Sequence, residues 1–275
     1  MSDPDSLSDE YLELLKGALA HTLYAHVDGG INYRRNVLGR ALFAALRARD
    51  IVPVRIGPRA ARERMQGNDW PVFAQTMVGR ARLDSLQRCV EDVIDADVPG
   101  DLIEAGVWRG GASIFMRGVL KARGVTDRVV WACDSFEGLP APDPRYPPDT
   151  GAIWHWWKPL SVSLEEVTAH FARYGLLDDN VRFVKGWFED TLPGLHDRRW
   201  ALIRLDGDMY RSTTDALTHL YPNLSPGGYL VIDDYGGVDA CRQAVHDYRD
   251  EHGVTEPIKR IDWTGAYWQR AAPAS

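Results

Sequence analysis

Two apolar runs in this chain stop abruptly in acid: Leu205-Asp206-Gly207-Asp208-Met209-Tyr210 and Val231-Ile232-Asp233-Asp234-Tyr235. If the two are neighbouring strands, Asp206, Asp208, Asp233 and Asp234 meet at one sheet edge. Like charges held that close are unfavourable unless a cation or a shared proton uses them. Neither run contains His or Cys, so the set suits Mg²⁺ or Mn²⁺ rather than zinc. Asp206, Asp233 and Asp234 are the candidate metal ligands. A metal against a hydroxyl lowers its pKa, and an adjacent carboxylate takes the proton. Asp208 is the candidate base, and His155, within Trp154-His155-Trp156-Trp157, is its rival. A plainer reading makes Asp208 and Asp234 caps of the helices that follow. Two acidic clusters on consecutive strands favour the metal.

A second constellation lies upstream. Glu104-x-Gly106-x-x-x-Gly110-Gly111 follows one predicted strand and precedes a helix, and Asp134 ends the next strand. Glycine lets backbone approach a ligand, and a helix start offers free N–H groups. Glu104 is placed to fix a cationic amino group or a ribose, and Asp134 to bond ribose hydroxyls. A dinucleotide site needs glycine where Trp108 stands, and its bulk obstructs a diphosphate. This argues against a nicotinamide-dependent oxidoreductase and for an adenosine ligand without phosphates, which S-adenosylmethionine fits. The alternative is a tight strand–helix turn and nothing more. In Lys185-Gly186-Trp187-Phe188, Trp187 either stacks on adenine or packs in the core. The tryptophan-rich loop reads as a lid or substrate wall, or else as a dimer contact. A non-catalytic scaffold is the remaining rival, and it has no use for four crowded carboxylates.

These residues need a frame. After a polar stretch over residues 1–9, Tyr11, Leu14, Leu15, Ala18, Leu19 and Leu23 recur at helical spacing. A second helix is expected over 36–49, a loop over 52–70, and a third helix over 80–94 with Leu83, Leu86, Val90 and Val93 on one face. Strands are then expected at 102–105, 128–133, 181–184, 200–205 and 229–232. Helices are expected at 113–123, from Ser163 (with Glu166 in a capping box), at 212–220 and at 238–251. A long loop covers 137–160, and a hairpin closes the chain at 258–269. The alternation predicts an α/β domain whose parallel sheet is covered on both faces, with ligands at the C-terminal strand ends. Residues 1–98 read as a helical extension and 99–275 as the catalytic domain.

Composition narrows the classes. The chain has 275 residues and a formal charge of −7, so it lacks the basic balance of a nucleic-acid binder. The segment from Arg55 to Arg64 reads as solvated surface. Cys89, Cys133 and Cys241 are too scattered for a redox or metal motif and fit a cytoplasmic protein with reduced thiols. No run is apolar enough to span a bilayer, and the acidic N-terminus is no signal peptide.

Five blocks together resemble the macrocin O-methyltransferase family: Glu104-Ala-Gly-Val-Trp-Arg-Gly-Gly, Asp134-Ser-Phe-Glu-Gly-Leu-Pro, Gly186-Trp-Phe-Glu-Asp-Thr-Leu-Pro, Leu205-Asp-Gly-Asp-Met-Tyr-Arg-Ser-Thr and Gly228-Tyr-Leu-Val-Ile-Asp-Asp-Tyr. The resemblance runs from about Tyr11 to Arg270. It implies a class I methyltransferase Rossmann-like fold, α/β, with a seven-stranded mostly parallel sheet and an N-terminal helical extension for lid and dimer contacts. It implies an S-adenosylmethionine- and Mg²⁺-dependent O-methyltransferase, a homodimer, acting on a small-molecule glycoside with a noviose-like or macrolide sugar. The metal ligands it implies are Asp206, Asp233 and Asp234, with Asp208 as base. Its cofactor contacts fall on Thr76, Met77, Glu104, Gly106, Val107, Trp108, Arg109, Gly110, Ser113, Asp134, Ser135, Phe136, Ser163, Gly186, Trp187, Phe188, Asp206 and Arg211.

Overall fold

The computed structural model describes residues 4–23, 29–30, 41–42, 44–46, 48–55 and 57–271. The chain divides into two compact units, Met1–Arg80 and Ala81–Ser275. In the first, helix α1 (Pro4–Leu19) begins well before the polar stretch was expected to end. It buries Leu12, Leu15 and Leu19 and leaves Leu7 and Leu14 exposed. Half of the helix expected over 36–49 lies outside the described residues; within the rest, residues 41–42 and 44–46 are helical. Strands β1 (Gly29–Gly30) and β2 (Val54–Arg55) pair antiparallel.

The loop expected over 52–70 contains helix α2 (Pro58–Gln66). Its interior consists mostly of strong helix formers, but the Pro and Gly at its ends masked them. Those residues are the helix punctuation itself. Pro58 stands in the first turn, and Gly67 adopts a left-handed cap whose N–H bonds the Arg64 carbonyl. The buried Arg64 guanidinium then bonds the carbonyls of Met77 (2.6 Å) and Val78 (2.8 Å).

In the second unit, helix α3 (Arg80–Asp95, its first residue at the unit boundary) precedes strands β3 (Asp101–Ala105), β4 (Val130–Asp134), β5 (Val181–Lys185), β6 (Trp200–Leu205) and β7 (Leu224–Ile232). Between them run helices α4 (Gly111–Ala122), α5 (Leu164–Arg173), α6 (Phe188–Thr191) and α7 (Tyr210–Leu220). Helix α8 (Asp239–His252) leads to the hairpin of β8 (Lys259–Arg260) and β9 (Ala266–Gln269). The sheet order is β5-β4-β3-β6-β7-β9-β8, parallel except where β9 joins β7 and β8. Strand β7 starts earlier than expected. Pro226-Gly227-Gly228 lies inside it, where the β6 pairing shifts register between Trp200 and Leu202, so the expected turn is an irregularity in the strand.

Residue parity along the strands sorts the two faces. Ile103, Ala105, Ile203, Leu205, Leu230 and Ile232 join Leu217 and Leu220 of α7 and Val245 of α8 in one apolar cluster. The opposite face carries α3, which runs along β7. Arg82 bonds Asp233 at one end, and Asp92 accepts from the Tyr229 hydroxyl (2.9 Å) at the other. Ten residues of helix cover about 15 Å and four of strand about 13 Å, so the two contacts are mutually consistent. Among the described residues, no helix is long and apolar enough to cross a membrane.

Candidate active site

The sheet order reverses between β3 and β6, the place where open α/β sheets bind ligands. Pairing continues one residue past the strand ends. Asp206 N–H bonds the Ala105 carbonyl, Asp233 N–H bonds the Leu205 carbonyl, and Gly106 N–H bonds the Cys133 carbonyl. The expected neighbours are therefore neighbours. Carboxylate oxygens of Asp206, Asp233 and Asp234 all lie within 4.8 Å of one another.

Parity also places Glu104, Arg204, Asp206 and Asp233 on one face. Glu104 is the register partner of Arg204, and Arg204 is the partner of Val231. The Arg204 guanidinium, 3% exposed, bonds Glu104, Asp206 (2.8 Å) and Asp233. Arg82 bonds Asp233 and, at 3.0 Å, Asp262. The second Glu104 oxygen accepts from the Ser113 hydroxyl. Burial would raise Asp233, but Arg82 and Arg204 outweigh it and hold the carboxyl below its ordinary value. The others go the opposite way. Burial pushes Glu104 up to about 7 against the pull of Arg204. Burial and then Asp233 push Asp206 up to about 6. Burial, then Asp206 and Asp233, push Asp208 up to about 7. Asp234 is also raised well above its ordinary value, by burial and then by Asp208, Asp206 and Asp233.

Two guanidinium groups stand among the five acids: Arg204 pairs with Glu104, Asp206 and Asp233, and Arg82 with Asp233 and Asp262. The excess negative charge, together with an all-oxygen donor set, fits a hard divalent cation.

The capping alternative is not realised. Helix α7 takes Met209 as N-cap and α8 takes Val238, neither with a side-chain cap bond. Asp234 instead accepts from the Asp208 N–H at 3.1 Å. Asp208 sits at φ +56° in a three-residue turn closed by Met209 N–H to the Gly207 carbonyl.

On the β3 side, Gly106 adopts φ +93°, and a Cβ there would stand 1.9 Å from the Asp206 carbonyl oxygen. The glycine turn and the acidic turn therefore touch. Gly106→Ala is expected to destabilise the fold by about 3–5 kcal/mol, combining backbone strain with an unrelievable backbone clash. Urea denaturation measures it, and a shift within ~0.5 kcal/mol, the level of a neutral surface change, would contradict the close approach.

The family profile for macrocin O-methyltransferases matches residues 8–270. The chain belongs to the macrocin O-methyltransferase family. It is 56% identical over 225 residues (80% of this chain, 84% of the relative) to 8-demethyl-8-(2,3-dimethoxy-alpha-L-rhamnosyl)-tetracenomycin-C 4'-O-methyltransferase of Streptomyces olivaceus. Mycinamicin III 3''-O-methyltransferase of Micromonospora griseorubida is 45% identical over 276 residues, covering 98% of this chain and 99% of the relative. The solved structure of the O-methyltransferase NovP matches with a TM-score of 0.83 at 42% identity, covering 96% of this chain and 100% of that one. The fold is that of a class I methyltransferase, and family membership makes the protein an S-adenosylmethionine-dependent O-methyltransferase.

Around the glycine turn of this family member, Asp134 is a hub. One of its oxygens accepts from the N–H groups of Val107 (2.8 Å) and Trp108 (3.3 Å), the other from Phe136 N–H (2.8 Å) and the Ser135 hydroxyl (3.3 Å). These bonds shape the turn in which Trp108 (φ +46°) and Phe136 (φ +57°) are held left-handed. Gly110 caps α4 with no side-chain acceptor, so the cap residue itself offers no side-chain bond to the first-turn N–H groups. Arg109 lies over the Trp108 ring at 4.2 Å, and its carbonyl oxygen lies 2.9 Å from His170 Nδ1.

Gly186 is tight against Thr191, and Trp187 and Phe188 are half-buried. Ser163 accepts from Glu166 N–H at 3.2 Å, the cap expected of it. Arg211 pairs with Glu189 and lies 3.9 Å from both Asp143 and Asp215. His155 packs on Trp156 (4.7 Å between ring centroids), and no hydrogen bond or ion pair joins it to the acids among the described residues. Thr76 and Met77 belong to the first unit, where Thr76 Oγ1 accepts from Val78 N–H.

Sequence reasoning missed Arg204, Arg82, Asp262 and Asp149. Arg204 had left a signal, a lone cation in the apolar strand Trp-Ala-Leu-Ile-Arg-Leu two residues before Asp206. Arg82 had none, sitting on a helix otherwise read by its apolar stripe.

Proposed function

We propose that this protein methylates a deoxysugar hydroxyl of a glycosylated natural product in antibiotic biosynthesis. The reaction uses S-adenosylmethionine and a divalent cation, Mg²⁺ or Mn²⁺. One observation carries the reading: three metal-competent carboxylates lie against a glycine turn at the switch point of a class I methyltransferase sheet. The relatives named as methyltransferases of a rhamnosyl-tetracenomycin and a mycinamicin support a sugar acceptor.

When bound, the sulfonium cofactor supplies the methyl group and the cation supplies the charge that acidifies the acceptor hydroxyl. Asp206, Asp233 and Asp234 hold the cation. Asp208, one turn away and bridged to Asp234 through its own N–H, takes the proton. The Gly106–Gly110 turn holds the cofactor, and Trp187 offers a ring face for adenine. The aromatic strap at 153–157 excludes water from the in-line displacement. The same reading makes residues 1–98 a lid and dimer contact in a cytoplasmic homodimer, supported by the exposed Leu7 and Leu14.

The test is methyl transfer from S-adenosylmethionine to a panel of deoxysugar glycosides, after titration of S-adenosylhomocysteine shows one site per chain. Saturable binding with no transfer to any glycoside would refute the sugar acceptor. Asp208→Asn is expected to lower kcat by about 10²–10⁴-fold with metal affinity little changed. A normal rate in Asp208→Asn, with loss in His155→Ala, would transfer the role of base to the histidine.

A further inference from the structure

Helix α7 begins immediately after the Asp208 turn, and its first N–H groups find their partner about sixty residues away. Asp149 Oδ1 accepts from Tyr210 N–H at 2.7 Å and Oδ2 from Arg211 N–H at 3.0 Å. The helix's own N-cap, Met209, brings no side-chain acceptor. Asp149 is 2% exposed and lies at the end of a short 3-10 turn, Pro147–Asp149, within the long loop before α5. A carboxylate satisfying two orphan donors at a helix start is favoured by both hydrogen bonding and the helix dipole.

Further contacts lock the same join. The Tyr146 and Tyr210 rings lie 6.2 Å apart, and the Arg211 guanidinium lies 5.9 Å over Tyr146. The other end of the loop is fastened elsewhere. Trp108 Nε1 donates to the Pro159 carbonyl at 2.8 Å. Trp108 and Asp208 belong to the two turns that touch at Gly106 and Asp206. Residues 150–158 therefore form a strap tied at one end, through Asp149, to the helix start that follows the acidic turn and at the other to the glycine turn. The strap carries Ile153 and Trp156 with 61% and 77% of their surface exposed.

We propose that Asp149 is a positioning residue. It couples the strap to the turn that aims Asp208, so that strap closure and base placement are one event. Asp208 at positive φ is a backbone conformation that persists only where its surroundings over-determine it. On one side Asp234 fixes the turn through the Asp208 N–H. On the other, Asp149 fixes the helix start into which the turn runs. The catalytic consequence rests on Asp208 being the base; the coupling itself does not.

The test compares wild type, Asp149→Ala and Asp149→Asn in the full chain by hydrogen–deuterium exchange, S-adenosylhomocysteine titration and steady-state kinetics. In Asp149→Ala, peptides covering 150–158 and 207–211 should both exchange faster by tenfold or more. Strands β3 and β6 should be unchanged, and cofactor affinity should stay within about threefold. Because Asn keeps one acceptor oxygen, Asp149→Asn should restore much of the protection. The acceptor KM should rise, because the strap loosens, and kcat should fall at least tenfold, because Asp208 loses its aim. A merely structural role would lower the folded fraction and so the apparent kcat, with the acceptor KM unchanged. Loosening of only one segment, or of neither, overturns the coupling. Joint loosening with kcat unchanged supports the coupling and overturns Asp208 as the base.

Discussion

Asp206→Asn is expected to abolish nearly all turnover, by about 10³-fold or more, and to leave S-adenosylhomocysteine binding close to wild type. A cation contributes several kcal/mol of transition-state charge stabilisation, and each ~1.4 kcal/mol is tenfold in rate. Losing one of three carboxylates forfeits much of it. The fold should not suffer. Burial and Asp233 raise the Asp206 carboxyl to about 6, so its ionisation works against folding. That penalty is fully present above the folded pKa and fades as pH falls toward the ordinary carboxylate value. An asparagine at pH 7 removes the repelling charge and still offers Arg204 an oxygen where the carboxylate now stands 2.8 Å away. Thermal unfolding should therefore be unchanged or slightly raised while the rate collapses.

The aspartates are not equivalent, however. Asp233 is bonded by both arginines, so Asp233→Asn should lose activity and stability together. The parallel experiment is chelation. Wild-type turnover should vanish in chelator and return with Mg²⁺ or Mn²⁺. Full turnover in chelator would end the metal reading.

Which parts of this site could be read from sequence follows from how each part is encoded. The acidic edge was legible because a strand run ending in acid is a local pattern, and the alternation of strands and helices sets which strands neighbour one another. Glu104, Gly106 and Asp134 were legible as positions for the same reason. Their partners were not: Asp134 is engaged by the backbone N–H groups of Val107, Trp108 and Phe136, and such bonds leave no mark in residue type. Helix α2 was misread because Gly and Pro punctuate helices as well as loops. Asp149 and Arg82 act on residues 61 and 151 positions away, and only the folded chain brings those pairs together. Long-range polar partners are thus the part of a site that single-sequence periodicity cannot reach.

Arg204→Met is expected to cost about 3–5 kcal/mol of folding stability, the range for breaking a buried ion pair from one side. The methionine roughly fills the volume, so the effect is electrostatic rather than a cavity. With the guanidinium gone, Glu104 and Asp206 lose a counter-charge at the face where burial already raises both. Asp233 keeps Arg82. Two consequences separate this account from a packing defect. Carboxylates with raised folded pKa values regain stability when protonated, so the deficit should shrink as pH falls from about 8 to about 5. A double variant, Arg204→Met with Glu104→Gln, should unfold at higher urea than the sum of the single losses requires, with a coupling of about 1–3 kcal/mol. A pH-independent deficit with additive single effects would mean that Arg204 is packing material. The expected result would instead make Arg204 the charge that lets a folded chain hold these acids together in advance of any cation.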